Sequence, residues 1–111
     1  MGFIWNKECE NETIFKMWST LDVNDDENPE QLLDEFEEWL QTLCFYDMVE
    51  CFKISLDKPF VIVIYLNKKA DRSEFEDLAD VVMRFSNSDK VNVGLASLSP
   101  APVIKSFYKN K

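Results

Sequence analysis

Histidine is absent from this chain of 111 residues, and glycine occurs only twice, at Gly2 and Gly94. Without histidine, Ser–His and Cys–His nucleophile pairs and His-ligated metal sites are excluded. Two glycines cannot build a phosphate-cradling P-loop or a dinucleotide fingerprint. Long apolar runs are also missing: the longest, Phe60 to Leu66, is far too short to span a bilayer. The opening MGFIWNKECE lacks the basic region and apolar stretch of a signal peptide, and Asn6 stands where a myristoylation pattern needs Ser or Thr. Three cysteines, Cys9, Cys44 and Cys51, form no C-x-x-C pair, so they match neither a zinc site nor an even disulfide framework. They read as free, buried small hydrophobes, which suits a reducing compartment. The expectation is a cytoplasmic protein with no membrane segment, no cofactor and no metal.

Cations are missing where acids are densest. Asp22 to Glu38 holds nine carboxylates in seventeen residues (Asp22, Asp25, Asp26, Glu27, Glu30, Asp34, Glu35, Glu37, Glu38) and no Lys or Arg. Such crowding repels itself and weakens the compact state, a cost that a basic partner relieves. The net charge of −9 is uneven: residues 1–56 carry −11 and residues 57–111 carry +2. Nucleic-acid affinity depends on cationic side chains, so direct phosphate binding by the first half is not expected. Asp22-x-Asn24-x-Asp26 has the opening spacing of a calcium loop. It fails at the sixth position, Glu27 where Gly is needed, and at the twelfth, Leu33 where a bidentate Glu is needed. Exposed helix acids also lack the desolvation that tunes a catalytic carboxyl, so no enzyme activity is expected.

Apolar residues make up 46% of the chain, enough for a packed core in one domain covering residues 1–111. Residues 2–5 read as a short strand. Asn11 could cap a helix through Thr20, with Ile14, Phe15, Trp18 and Leu21 at helical spacing. Asn28-Pro29 is a strong helix start, and Leu32, Phe36, Trp39, Leu40 and Leu43 mark the buried stripe of a helix to about Cys44. Met48 to Leu56 alternates like a half-buried strand, and Phe60 to Leu66 reads as a central strand covered on both faces. Asp71 or Ser73 can cap the next helix, which runs to about Phe85 and is stopped by Asn87-Ser88-Asp89, and then a strand follows from Val91 to Leu98. A strand–helix–strand unit of this length implies a parallel crossover. Residues 100–111 read as an edge strand or a loose basic tail. The expected fold class is α/β (α+β): a single domain with a three- to five-stranded mixed or parallel sheet and about three helices.

Asn28-Pro29-Glu30-Gln31-Leu32-Leu33-Asp34, followed by Phe36 and Trp39, resembles the inhibitory helix of the barstar family. The strand, helix and strand downstream follow that family's order. The resemblance covers roughly residues 11–98, and its motif is short. It implies an intracellular inhibitor that plugs the basic active site of a ribonuclease with acidic helix and loop residues. Carried over by position, Glu30 and Asp34 are the central interface acids. The sequence departs from the pattern at Asp25-Asp26-Glu27, where the family has an aromatic-rich loop, and at Leu33, where it has an exposed Trp. A second likeness, in the strand, helix and strand from Phe60 to Ala96, is to the C-terminal domain of the bacterial tubulin FtsZ. It implies a structural or assembly module.

Taken together, these features predict a small acidic protein that occludes the cationic site of a basic protein partner, such as a nuclease toxin or another nucleic-acid-binding enzyme. Glu30 and Asp34 are central, with Asp26, Glu27, Glu37 and Glu38 steering or ringing the contact. Trp39 is assigned to the core. A DNA-mimic protein is the near variant, and it requires acids spread over more than one helix and loop.

Overall fold

The computed structural model describes residues 2–24, 26–43, 46–67 and 71–109, with Tyr46 described by its backbone alone. Asp25 and Cys44, both named above, lie outside the described residues. Six strands form one sheet: β1 (Phe3–Trp5), β2 (Phe15–Thr20), β3 (Val49–Ser55), β4 (Val61–Leu66), β5 (Lys90–Leu95) and β6 (Lys105–Tyr108). Two α-helices accompany them, α1 (Pro29–Thr42) and α2 (Arg72–Ser86), with a 3₁₀ turn at Tyr46–Met48.

The strand order is β1-β3-β4-β2-β5-β6, and every neighbouring pair is antiparallel. This corrects the expected three- to five-stranded mixed or parallel sheet with about three helices. The expected crossover from β4 through α2 to β5 does exist, but β2 is inserted between those two strands. The unit β2-α1-β3 is split in the same way by β4. The centre of the chain is thus two interlocked split β-α-β units, the ferredoxin-like plan, with β1 and β6 added at the edges.

The expected helix over residues 11–20 is the other correction. Phe15 to Thr20 forms β2, at the centre of the sheet. Phe15 and Trp18 fit a helical spacing, but Phe15, Met17 and Ser19 fit a strand period equally well, and six residues are too few for periodicity to decide. Asn11 caps nothing; its side-chain amide donates to Glu50 Oε2 at 3.1 Å.

Both helices lie on one face of the sheet. Met17, Phe52, Ile62, Ile64, Leu66 and Val91 point to that side and are fully buried with Phe36 and Leu40 of α1 and Leu78 and Val82 of α2. The Phe36 ring joins the layers, lying 4.9 Å from Phe52 on the sheet and 4.9 Å from Phe85 on α2. A buried polar stitch ties β2 to the end of α2: Ser19 Oγ lies 3.3 Å from Ser86 Oγ, and Ser86 Oγ donates to Val82 O at 2.6 Å. The helix ends are as their sequences dictate. Asn28 Oδ1 accepts from Glu30 N at 2.8 Å, Asp71 and Glu74 form a reciprocal capping box, and Asn87 ends α2 in the left-handed region that Asn tolerates.

Of the segment expected to be an edge strand or a loose tail, Lys105–Tyr108 forms β6, paired with β5 at the edge of the sheet. The cysteine expectation is also corrected. Cys51 is fully buried, as a small hydrophobe would be, but it is joined to Cys9 by a disulfide. Among the described residues, no helix is long and apolar enough to cross a membrane.

Candidate functional site: an acidic helical face centred on Trp39

The turns of α1 divide its acids into two groups. Leu32, Leu33, Phe36 and Leu40 point to the core. At 100° per residue, Glu30, Asp34 and Glu37 fall on one flank of that stripe, and Glu35, Glu38 and Trp39 on the other. Trp39 faces α2, because its ring meets the Phe85 ring edge-on at 5.5 Å. The Glu35/Glu38 flank therefore borders the seam between the helices, and the Glu30/Asp34/Glu37 flank faces away from it.

The loop before α1 is held against the same seam. Asp22 N donates to Ser86 O at 2.7 Å, at the end of α2, and Glu27 N closes a turn onto Asn24 O at 3.2 Å. As a result Glu27 lines a groove of about 330 Å³ with Val23, Leu32, Glu35, Glu38, Trp39 and Phe85. On the other side of Trp39 a second groove, of about 420 Å³, is lined by Thr42, Leu43, Asp77, Asp80, Val81 and Arg84. Trp39 is 41% exposed and forms the ridge between the two. It does not belong to the core, as the sequence led one to expect. Leu33, not part of the anticipated stripe, is buried in its place.

Of the six anticipated site residues, the structure brings Glu27 and Glu38 to the Trp39 seam. Glu30, Asp34 and Glu37 share the outer flank; Glu30 and Asp34 are exposed and Glu37 is half-buried. Asp26 is exposed in the turn before the helix. Two contributors were missed. Asp77 and Asp80 of α2 meet Trp39 across the seam, and their only signal was the outward face of the second helix. Cations are scarce on this layer. Arg84 is bound to Asp80 and Arg72 lies 3.6 Å from Glu76, both within α2. No acid of α1 has a cationic partner among the described residues. Nor does any group of three acids or cysteines among them have the arrangement needed to hold a metal ion.

The geometry is a large, half-exposed indole between two grooves, with carboxylates in the lining of both. The class so defined is a sheet-backed split β-α-β protein with an acidic helical face. Compared with protein families, with characterised proteins and with solved structures, the chain matches none.

Proposed function

We infer that this protein binds a basic protein partner through its helical layer and blocks the partner's cationic site, as an inhibitor or immunity-type protein acting without turnover. The carrying observation is that the α1 acids have no cationic partner among the described residues, and that two of them, Glu35 and Glu38, line a groove beside an exposed tryptophan. Unpaired carboxylates steer a cationic surface into contact, and a tryptophan between two grooves provides the desolvated anchor that steering alone does not. A nuclease or another nucleic-acid-binding enzyme fits best, because carboxylates can take the place of substrate phosphates in its basic cleft. The barstar-like likeness of residues 28–39 belongs to this reading; the cytoplasmic site of action expected from free cysteines loses that support with the Cys9–Cys51 disulfide.

The DNA-mimic variant has one observation in its favour. Acids are not confined to one helix and loop but continue onto α2 at Glu76, Asp77 and Asp80, all exposed. Such a protein would occupy a wider groove than an active-site plug. The stand-alone assembly module stays the alternative of a different class, and its contact would be insensitive to salt.

The test compares four immobilised proteins at low salt: wild type, Glu35→Lys/Glu38→Lys on the seam, Glu30→Lys/Asp34→Lys on the outer flank, and Trp39→Ala. Capture of a basic nuclease or nucleic-acid-binding enzyme, lost with one pair of substitutions and reduced when Trp39 is replaced by Ala, supports the inference and locates the face. Equal capture by all variants overturns it.

A further inference from the structure

The face of the sheet turned away from the helices has the opposite character. Register places directly paired residues on one face, so one row runs Trp5, Lys53, Val63, Trp18, Asn92 and Ser106 across all six strands. A second row beside it runs Cys51, Tyr65, Lys16 and Gly94. Neither row contains a carboxylate, in a chain with a net charge of −9. The Trp5 and Tyr65 rings are stacked, 5.4 Å apart and inclined by 24°. The Lys53 ammonium lies 4.2 Å from the Phe3 ring centre and 4.8 Å from that of Trp5. Lys16 reaches across to donate to Leu98 O at 2.7 Å, where the loop from β5 to β6 folds over the sheet. Between that loop and the rings is a groove of about 280 Å³, with Lys16, Lys53, Trp18 and Tyr65 in its lining.

We propose that this open sheet face binds a short stretch of single-stranded nucleic acid, with bases stacking on Trp5, Tyr65 and Trp18 and backbone phosphates meeting Lys16 and Lys53. Charge complementarity decides the occupant. Among the described residues neither lysine has a carboxylate partner. Burial first, and then repulsion from Lys53, hold the Lys16 ammonium below its ordinary value, so an anion placed between the two is favoured. The flat π-faces select an anion that carries aromatic rings. Strands spaced at about 4.8 Å give the row from Trp5 to Trp18 a span of roughly 14 Å, room for two or three bases. A duplex keeps its bases stacked inside and cannot use such a platform. The proposal departs from the expectation of no phosphate binding by residues 1–56, because the fold sets Lys16 and Lys53 on the sheet face opposite the α1 acids; it is independent of the helical site, which lies on the other side of the molecule.

Fluorescence anisotropy of a labelled eight-nucleotide single strand tests it, against the matching duplex, a free mononucleotide and an acidic peptide of equal charge. The expected result is binding to the single strand alone, weakening with salt at a log–log slope of about −1.4 for two phosphate contacts. Trp5→Ala, at a solvent-facing edge position, should lower affinity by about tenfold. Lys16→Gln/Lys53→Gln should flatten the salt slope. Circular dichroism confirms that each variant is folded. No binding at low salt, equal binding to the mononucleotide, duplex or peptide, or an unchanged slope in the lysine variant overturns the proposal.

Discussion

At Gly94 the chain has no room for a side chain. A Cβ there would sit 2.8 Å from Pro102 O, 3.0 Å from Trp18 Cη2 and 3.1 Å from Ala101 Cβ. The nearest of these is backbone, which cannot swing aside as a side-chain tip can. Gly94→Val should therefore destabilise by about 1–3 kcal/mol, read as a lower urea midpoint with an unchanged slope. Lys16 gives a second prediction at this scale. Its folded pKa lies below the ordinary lysine value of 10.5, first because of burial and then because of Lys53. Between the two values the unfolded chain holds the extra proton, so stability rises with pH through that window. Relative to Lys16→Met, the wild type should gain stability as pH climbs toward 10.5. In Lys53→Met the Lys16 pKa, followed by NMR, should move upward.

Among the elements, α1 was the most legible, because its apolar stripe, its Asn28-Pro29 start and its charge pattern agree. Two of its residues are misassigned, Leu33, which is buried, and Trp39, which is exposed; the second follows from what lies beside the helix. Trp39 is on the edge of the stripe, and whether such a residue is covered depends on how close α2 packs. Replacing Asn28 with Ala removes the side-chain acceptor for Glu30 N and should cost about 1 kcal/mol, measurable by denaturant titration. β2 was misread because a six-residue strand lacks a diagnostic period and its neighbours in the sheet are remote in sequence. The Cys9–Cys51 link closes a loop across a sequence separation of 42 and ties the chain between β1 and β2 to β3. Reduction should lower stability by about 2–4 kcal/mol, with Cys9→Ser showing the same loss and no further response to reductant.

Over the whole molecule, charge is sorted by face: carboxylates on the helical layer, and on the open side of the sheet two lysines that have no carboxylate partner among the described residues. Self-repulsion at a net charge of −9 is screened by salt, so the thermal midpoint should rise between low and physiological ionic strength. If the acids are the steering surface proposed above, association with the basic partner should slow over the same range, and the two trends run in opposite directions. The sequence by itself determined the two long helices, the strands β3, β4 and β5, the helix caps and the acidity of α1, because each depends on neighbours within a turn or a pleat. Tertiary structure alone decided that the sheet is antiparallel, that β2 and β4 split the two β-α-β units, and that Glu27, Glu38, Asp77 and Asp80 meet around Trp39. It alone also set Trp5, Lys53 and Trp18 in one row. Those arrangements depend on strand order and register, which are fixed by burying one face of every strand at once against both helices.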